Sequence, residues 1–103
     1  MPDIKALITL KNKEYIYSGF RPSHMIGDYL TTGLHEYIEV DRLLKNKPTE
    51  GYITFISPEI YPNKLEIGMI INFYEGATCL GDCRVLEIYN EILKKWDYFD
   101  NTG

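Results

Sequence analysis

The stretch Gly68–Tyr89, GMIINFYEGATCLGDCRVLEIY, decides the fold. Its first arm places Met69, Ile71 and Phe73 on one side and Ile70, Asn72 and Tyr74 on the other, the period of two that a strand requires. Glu75-Gly76-Ala77 is a tight reversal and Thr78–Tyr89 the returning arm, so the stretch is a β-hairpin. In the second arm the apolar parity shifts between Cys83/Val85 and Leu86/Ile88. That shift predicts either a bulge near Arg84 or a strand buried on both faces.

Upstream, Ile4, Ala6, Ile8 and Leu10 alternate with Lys5, Leu7 and Thr9 and make a first strand. Lys11–Glu14 is a polar turn, and Tyr15-Ile16-Tyr17 a short strand stopped by Ser18-Gly19. Pro22 fixes its own φ and biases Arg21 towards extended geometry, so Gly19-Phe20-Arg21-Pro22 is a rigid extended corner. Ile26–Val40 reads as two short strands around a turn at Gly33. Asp41–Glu50, with Leu43-Leu44, three basic residues and Pro48, reads as a helical turn and loop in the most exposed part of the chain. Tyr52–Ser57 is a strand ended by Pro58. Asn90–Lys95 begins a short helix with Ile92, Leu93 and Trp96 towards the body.

Nine Tyr, four Phe and many Ile suit pleated, half-buried surfaces, and 103 residues with 45% hydrophobic and 25% charged composition suit one globular unit. The expectation is an all-β fold: a small antiparallel barrel or sandwich of about six strands over 1–95, with a C-terminal tail over 96–103. Ile8, Ile53, Phe55, Ile71 and Val85 are its expected core. No apolar run is long enough to cross a membrane, and Met1–Lys5 lacks the layout of a signal peptide, so a cytoplasmic protein is expected. Eleven basic against fifteen acidic residues give a net charge of −4, which opposes non-specific attraction to nucleic acid.

Several segments together carry a resemblance. Gly19-Phe20-Arg21-Pro22, Thr31-Thr32-Gly33, the strand Tyr52–Ser57, and Glu75-Gly76-Ala77-Thr78-Cys79-Leu80-Gly81 leading into Arg84–Ile88 occur in the order found in the C-terminal β-barrel (domain 3) of translation elongation factor Tu. The chain resembles that domain from about Ile4 to Tyr89, which implies a six-stranded antiparallel barrel. No phosphate-binding Gly-rich loop of the GTPase type occurs, so the resemblance brings no GTP hydrolysis. The positions it places on the factor's tRNA-facing side are Ser23, Gly76, Ala77 and Thr78. Ser23 stands where the factor has Gln, and Ala77 and Thr78 stand where it has Gly and Arg.

Chemistry-bearing residues are few. Cys79 and Cys83, four apart on a strand, lie roughly 13 Å apart at about 3.3 Å per residue and cannot form a disulfide without a sharp bend. They read as free core thiols. His24 and His35 sit in separate segments without ligand spacing, so neither a metal nor another cofactor is expected, and His35 reads as a surface or rim residue. Asp28, Glu36 and Glu39 read as a solvated strand face.

The functional expectation is therefore a non-enzymatic module that binds another protein, a basic one by charge. Tyr61, Tyr74, Trp96 and Tyr98 are its expected contact residues, because Tyr and Trp offer large contact area with a polar tip. Three alternatives stand beside it: an immunity-type inhibitor of a toxin nuclease, a tRNA- or RNA-binding remnant, and a small thiol enzyme or hydrolase. The RNA reading requires Lys11, Lys13, Arg42, Lys45 and Lys47 to converge. The enzyme reading requires Cys83 or Cys79 to open into a pocket beside a histidine.

Overall fold

The structure is a computed structural model and is described for residues 1–95. Trp96, Tyr98 and the expected tail lie outside the described residues. The alternating segments become β1 (Ile4–Leu10), β2 (Tyr15–Tyr17), β3 (Ser23–Ile26), β4 (Tyr29–Tyr37), β5 (Arg42–Leu44), β6 (Thr49–Phe55), β7 (Ile70–Glu75) and β8 (Thr78–Ile88). Six of them close into an antiparallel barrel in the order β1-β6-β4-β3-β7-β8, and β2 and β5 form a separate two-stranded ribbon. Closure leaves the barrel no open sheet edge, whereas the ribbon keeps the outer edge of β2 and meets β1 beyond β5 through the Leu10–Lys45 bridge.

The core is the one the alternation implies. Ile4, Ala6, Ile8 and Leu10 of β1 point inward with Ile53 and Phe55 of β6, Ile71 and Phe73 of β7, and Cys83 and Val85 of β8. The β7–β8 hairpin turns at Gly76 and the β3–β4 hairpin at Gly27, both with φ of 58°, a left-handed conformation that glycine adopts without a Cβ penalty. Of the two readings of the parity shift in β8, the bulge holds. Lys5 pairs with Glu87 but Ala6 with Val85, leaving Leu86 as the extra residue. Leu80 is a second extra residue opposite Phe73/Tyr74. Asp3 fastens the start of β1, its carboxylate accepting the Phe55 N–H at 2.7 Å and the Asn90 side-chain amide at 2.8 Å.

Three local expectations change. There is no turn at Gly33: β4 runs straight through it, and the glycine serves close packing, since a Cβ there would stand 2.8 Å from His24 Cε1 and 2.9 Å from Ile53 Cγ2. The segment expected as an exposed helical turn and loop instead contains β5, with Leu43 fully buried opposite Ile16. Asn90–Lys95 holds a 3-10 turn, Glu91–Leu93, in which Leu93 is buried but Ile92 faces solvent. The extended corner Gly19–Pro22 does lie along β4: Gly19 N–H donates to the His35 carbonyl, His35 N–H to the Phe20 carbonyl, and Gly33 N–H to the Pro22 carbonyl.

Candidate functional site: a polar barrel interior and an aromatic ribbon

Two regions depart from the ordinary partition of apolar inside and polar outside. The first lies in the barrel. His24 on β3, His35 on β4 and Cys83 on β8 all point inward and are fully buried. Their donor atoms lie within 4.8 Å of one another. His24 Nε2 and His35 Nε2 are 2.8 Å apart and share one hydrogen bond, and His35 Nδ1 is 3.0 Å from the Tyr37 hydroxyl. The rings of Phe55 and Phe73 close around His24, and Phe73 also packs on His35. His24 Nδ1 has no hydrogen-bond partner.

The bonding pattern constrains the protons. Two nitrogens 2.8 Å apart can be bonded only if one donates and the other accepts, so the histidines are not both doubly protonated. Burial opposes charge on both rings: it pushes His24 down to about 4, partly countered by the backbone carbonyls of Thr31 and Pro22, and it lowers His35 well below the ordinary value, with His24 adding to the effect. Burial likewise drives the Cys83 thiol well up and the Tyr37 hydroxyl up. A thiolate–imidazolium pair needs the opposite shifts on both partners, a more acidic thiol and a more basic ring. His35 is thus no surface or rim residue, and the three residues that spacing left apart are brought together by the closure of the barrel.

The second region is the ribbon. Tyr15 pairs with Leu44, Ile16 with Leu43 and Tyr17 with Arg42; Ile16 and Leu43 face the body, and the other four side chains face solvent. The Lys45 N–H donates to the Glu14 carbonyl and the Ser18 N–H to the Asp41 carbonyl. In an antiparallel ladder bonded positions alternate, so the main chain of Tyr15 and Tyr17 points away from β5. Tyr17 carbonyl accepts from Phe20 N–H, which leaves the Tyr15 N–H, the Tyr15 carbonyl and the Tyr17 N–H on an unpaired edge among the described residues. An open groove of about 660 Å³ follows that edge from Lys13 to Phe20. Tyr15 and Tyr17 stack edge to face at 5.4 Å, and the Arg42 guanidinium lies 5.2 Å from the Tyr15 ring. Tyr17 is 57% exposed.

The residues singled out in the sequence divide between these regions and neither. Tyr61 is 2% exposed, with its hydroxyl 3.0 Å from Thr31 Oγ1, so it belongs to the core and offers no contact surface. Tyr74 is partly buried at the end of β7. Ser23 pairs with Tyr74, and Gly76, Ala77 and Thr78 form the adjoining hairpin tip. The tip meets the segment leading into β2, for Lys13 Nζ is 3.1 Å from Glu75 and the Asn12 amide donates to the Cys79 carbonyl. Cys79 and Cys83 are both free thiols. Sequence reasoning missed Tyr15 and Tyr17, although their alternation about Ile16 marked them as one exposed face. At the opposite end of the barrel, Tyr29, Leu30, Ile56 and Ile60 form a smaller exposed apolar cluster around a shallow groove. No protein-family model and no curated protein matches the chain.

Proposed function

We propose that the protein is a non-enzymatic binding module, and that it takes up an extended segment of another protein along the free edge of β2. The observation that carries this reading is the Tyr15 N–H, Tyr15 carbonyl and Tyr17 N–H, unpaired among the described residues, beside a groove flanked by aromatic rings. Strand addition supplies main-chain hydrogen bonds, and the rings of Tyr15, Tyr17 and Phe20 give pockets for alternate side chains of the incoming strand. The net charge of −4 steers a basic partner towards the molecule. The closed six-stranded barrel supports a finer reading, that the scaffold is of the elongation factor Tu domain 3 type, with the tip at Gly76–Thr78 beside the binding ribbon. Two free cysteines fit a reducing, cytoplasmic setting.

The lysines weigh against RNA. Lys11 is paired with Asp82, Lys13 with Glu75 and Lys45 with Glu14, so three of the five cations that the RNA reading needs already face a carboxylate. The shifts at Cys83, His24 and His35 weigh against a thiol enzyme. An immunity-type inhibitor is one form that a module for a basic partner takes.

The test compares the natural chain with Tyr15→Ser/Tyr17→Ser and with Ile56→Ser/Ile60→Ser at the opposite end. A partner selected from an extended-peptide library should bind the natural chain and the Ile pair alike, and lose about tenfold or more on the Tyr pair. Binding that depends on Ile56 and Ile60 instead, or saturable micromolar binding of bulk tRNA at about 150 mM salt, would overturn the reading.

A further inference from the structure

The barrel interior holds a constellation that packing alone does not explain. Apolar side chains would fill the space at lower desolvation cost, yet three strands deliver two imidazoles and a thiol to one point. The group does not satisfy itself. Whichever ring donates across the 2.8 Å bond, His24 Nδ1 is left without a partner. We propose that His24, His35 and Cys83 form a buried binding site for a single copper(I) ion.

The donor set fits a soft ion. Imidazole nitrogen and thiolate sulfur bind copper and zinc in preference to the hard cations, which take oxygen. Bonds of about 2.0 Å to nitrogen and about 2.3 Å to sulfur place donors some 3.3 to 3.8 Å apart. The separation of 2.8 Å between the Nε2 atoms must widen by about half an ångström as the ion replaces the shared proton, and the Cys83 sulfur, in a donor set that spans 4.8 Å, must close by about an ångström. Charge selects the valence. The cluster contains no carboxylate, and its one anionic ligand is the thiolate. A monovalent ion makes a neutral unit with it, whereas a divalent ion leaves an uncompensated positive charge in a core lined by Phe55 and Phe73.

Proton balance follows from the same geometry. Copper(I) enters as the reduced ion, so no electron is exchanged; the S–H bond of Cys83 breaks, the Cu–S bond forms, and one proton leaves to solvent. Each ring keeps one proton, now on Nδ1. That of His35 is donated to the Tyr37 oxygen at 3.0 Å, which makes Tyr37 a positioning residue. That of His24 stays on Nδ1, on the side of the Pro22 and Thr31 carbonyls, to which it makes no hydrogen bond in the ion-free protein. The ligands come from β3, β4 and β8, so the site exists only in the closed barrel, and the ion enters during folding.

The experiment uses the full chain carrying Cys79→Ser, so that Cys83 is the one remaining thiol. It is refolded without oxygen in the presence of copper(I), desalted, and measured for copper content, thiolate–copper absorption and X-ray absorption. The expected result is one copper per chain with one sulfur and two imidazole neighbours. Adding Cys83→Ser, a near-isosteric change, should abolish it, and Tyr37→Phe should weaken it by about 10-fold or more. Failure to retain copper after refolding, retention unaffected by Cys83→Ser, or displacement of copper by equimolar zinc would overturn the assignment. None of these outcomes bears on peptide binding at the ribbon.

Discussion

The barrel interior and the β2–β5 ribbon invert each other. Inside, where apolar groups belong, sit two histidines, a tyrosine hydroxyl and a thiol; on the ribbon, where polar groups belong, sit Tyr15, Tyr17 and Leu44. Each region's tolerance to change follows from how it is held. The interior residues are held by closure on all sides, so a change there is felt through the whole sheet. The ribbon buries Ile16 and Leu43 on its inward face and is tied at its ends, by the Asn46 N–H to the Leu10 carbonyl and the Gly19 N–H to the His35 carbonyl, while its outer face is free to change without cost to the barrel.

The largest effect should come from breaking the interior. His35→Ala removes a fully buried ring, opens a cavity and leaves the Tyr37 hydroxyl and His24 Nε2 unpaired. A loss of about 3 to 5 kcal/mol is expected by urea denaturation, while Tyr17→Ser should stay within about 0.5 kcal/mol. Similar losses at the two sites would erase the distinction between the regions.

Protonation attacks the interior without mutation. His24 falls from an ordinary 6.5 to about 4 on folding, and His35 is lowered as well. The unfolded chain therefore binds more protons than the native one between those values, and stability rises with pH there. The contribution is fully present above about 6.5 and is lost as pH falls towards about 4, amounting to about 3 kcal/mol for His24 at 1.36 kcal/mol per unit. Metal-free protein with chelator present should show a thermal midpoint that drops across that window. His24→Gln should flatten the drop; an unchanged pH profile in that variant would locate the dependence elsewhere.

Gly33→Ala probes the same packing more gently. The added methyl meets the His24 ring and Ile53, and overpacking of this kind costs about 1 to 3 kcal/mol. In a His24→Ala background the added cost should shrink, because the ring it meets is gone. A full, additive cost in the double variant would mean that Ile53 alone sets the limit.

Gly33 also marks where sequence stops being legible. Alternation in β1, β6, β7 and β8 named the strands and the core residues Ile8, Ile53, Phe55, Ile71 and Val85, because period two reports a face directly. A glycine inside a strand pattern looks like a turn unless one knows which side chain crosses it, and the His24 ring arrives from a neighbouring strand. The same limit hid the site. His24, His35 and Cys83 are separated by 11 and 48 positions, and only register around the closed barrel brings them together. Tyr61 misled for the opposite reason: it is a loop residue by sequence but is drawn inward to hydrogen-bond Thr31.

The smallest effect concerns the two thiols, one on each side of the boundary between interior and surface. Cys83 is fully buried, and burial holds its proton firmly, so the thiolate that reacts with a disulfide reagent scarcely forms in the native state. Cys79 is half-buried beside the hairpin tip, its sulfur 3.6 Å from the Gly81 carbonyl, a weak contact that a serine hydroxyl can replace. Cys79→Ser should therefore change stability by less than about 1 kcal/mol. Titrated in metal-free protein without reductant, one thiol should react while the chain is folded and the second only when denaturant opens the barrel. Two thiols reacting at equal rates in the native state would show that the barrel admits solvent to Cys83, and none reacting after denaturation would show a bonded pair that strand geometry forbids.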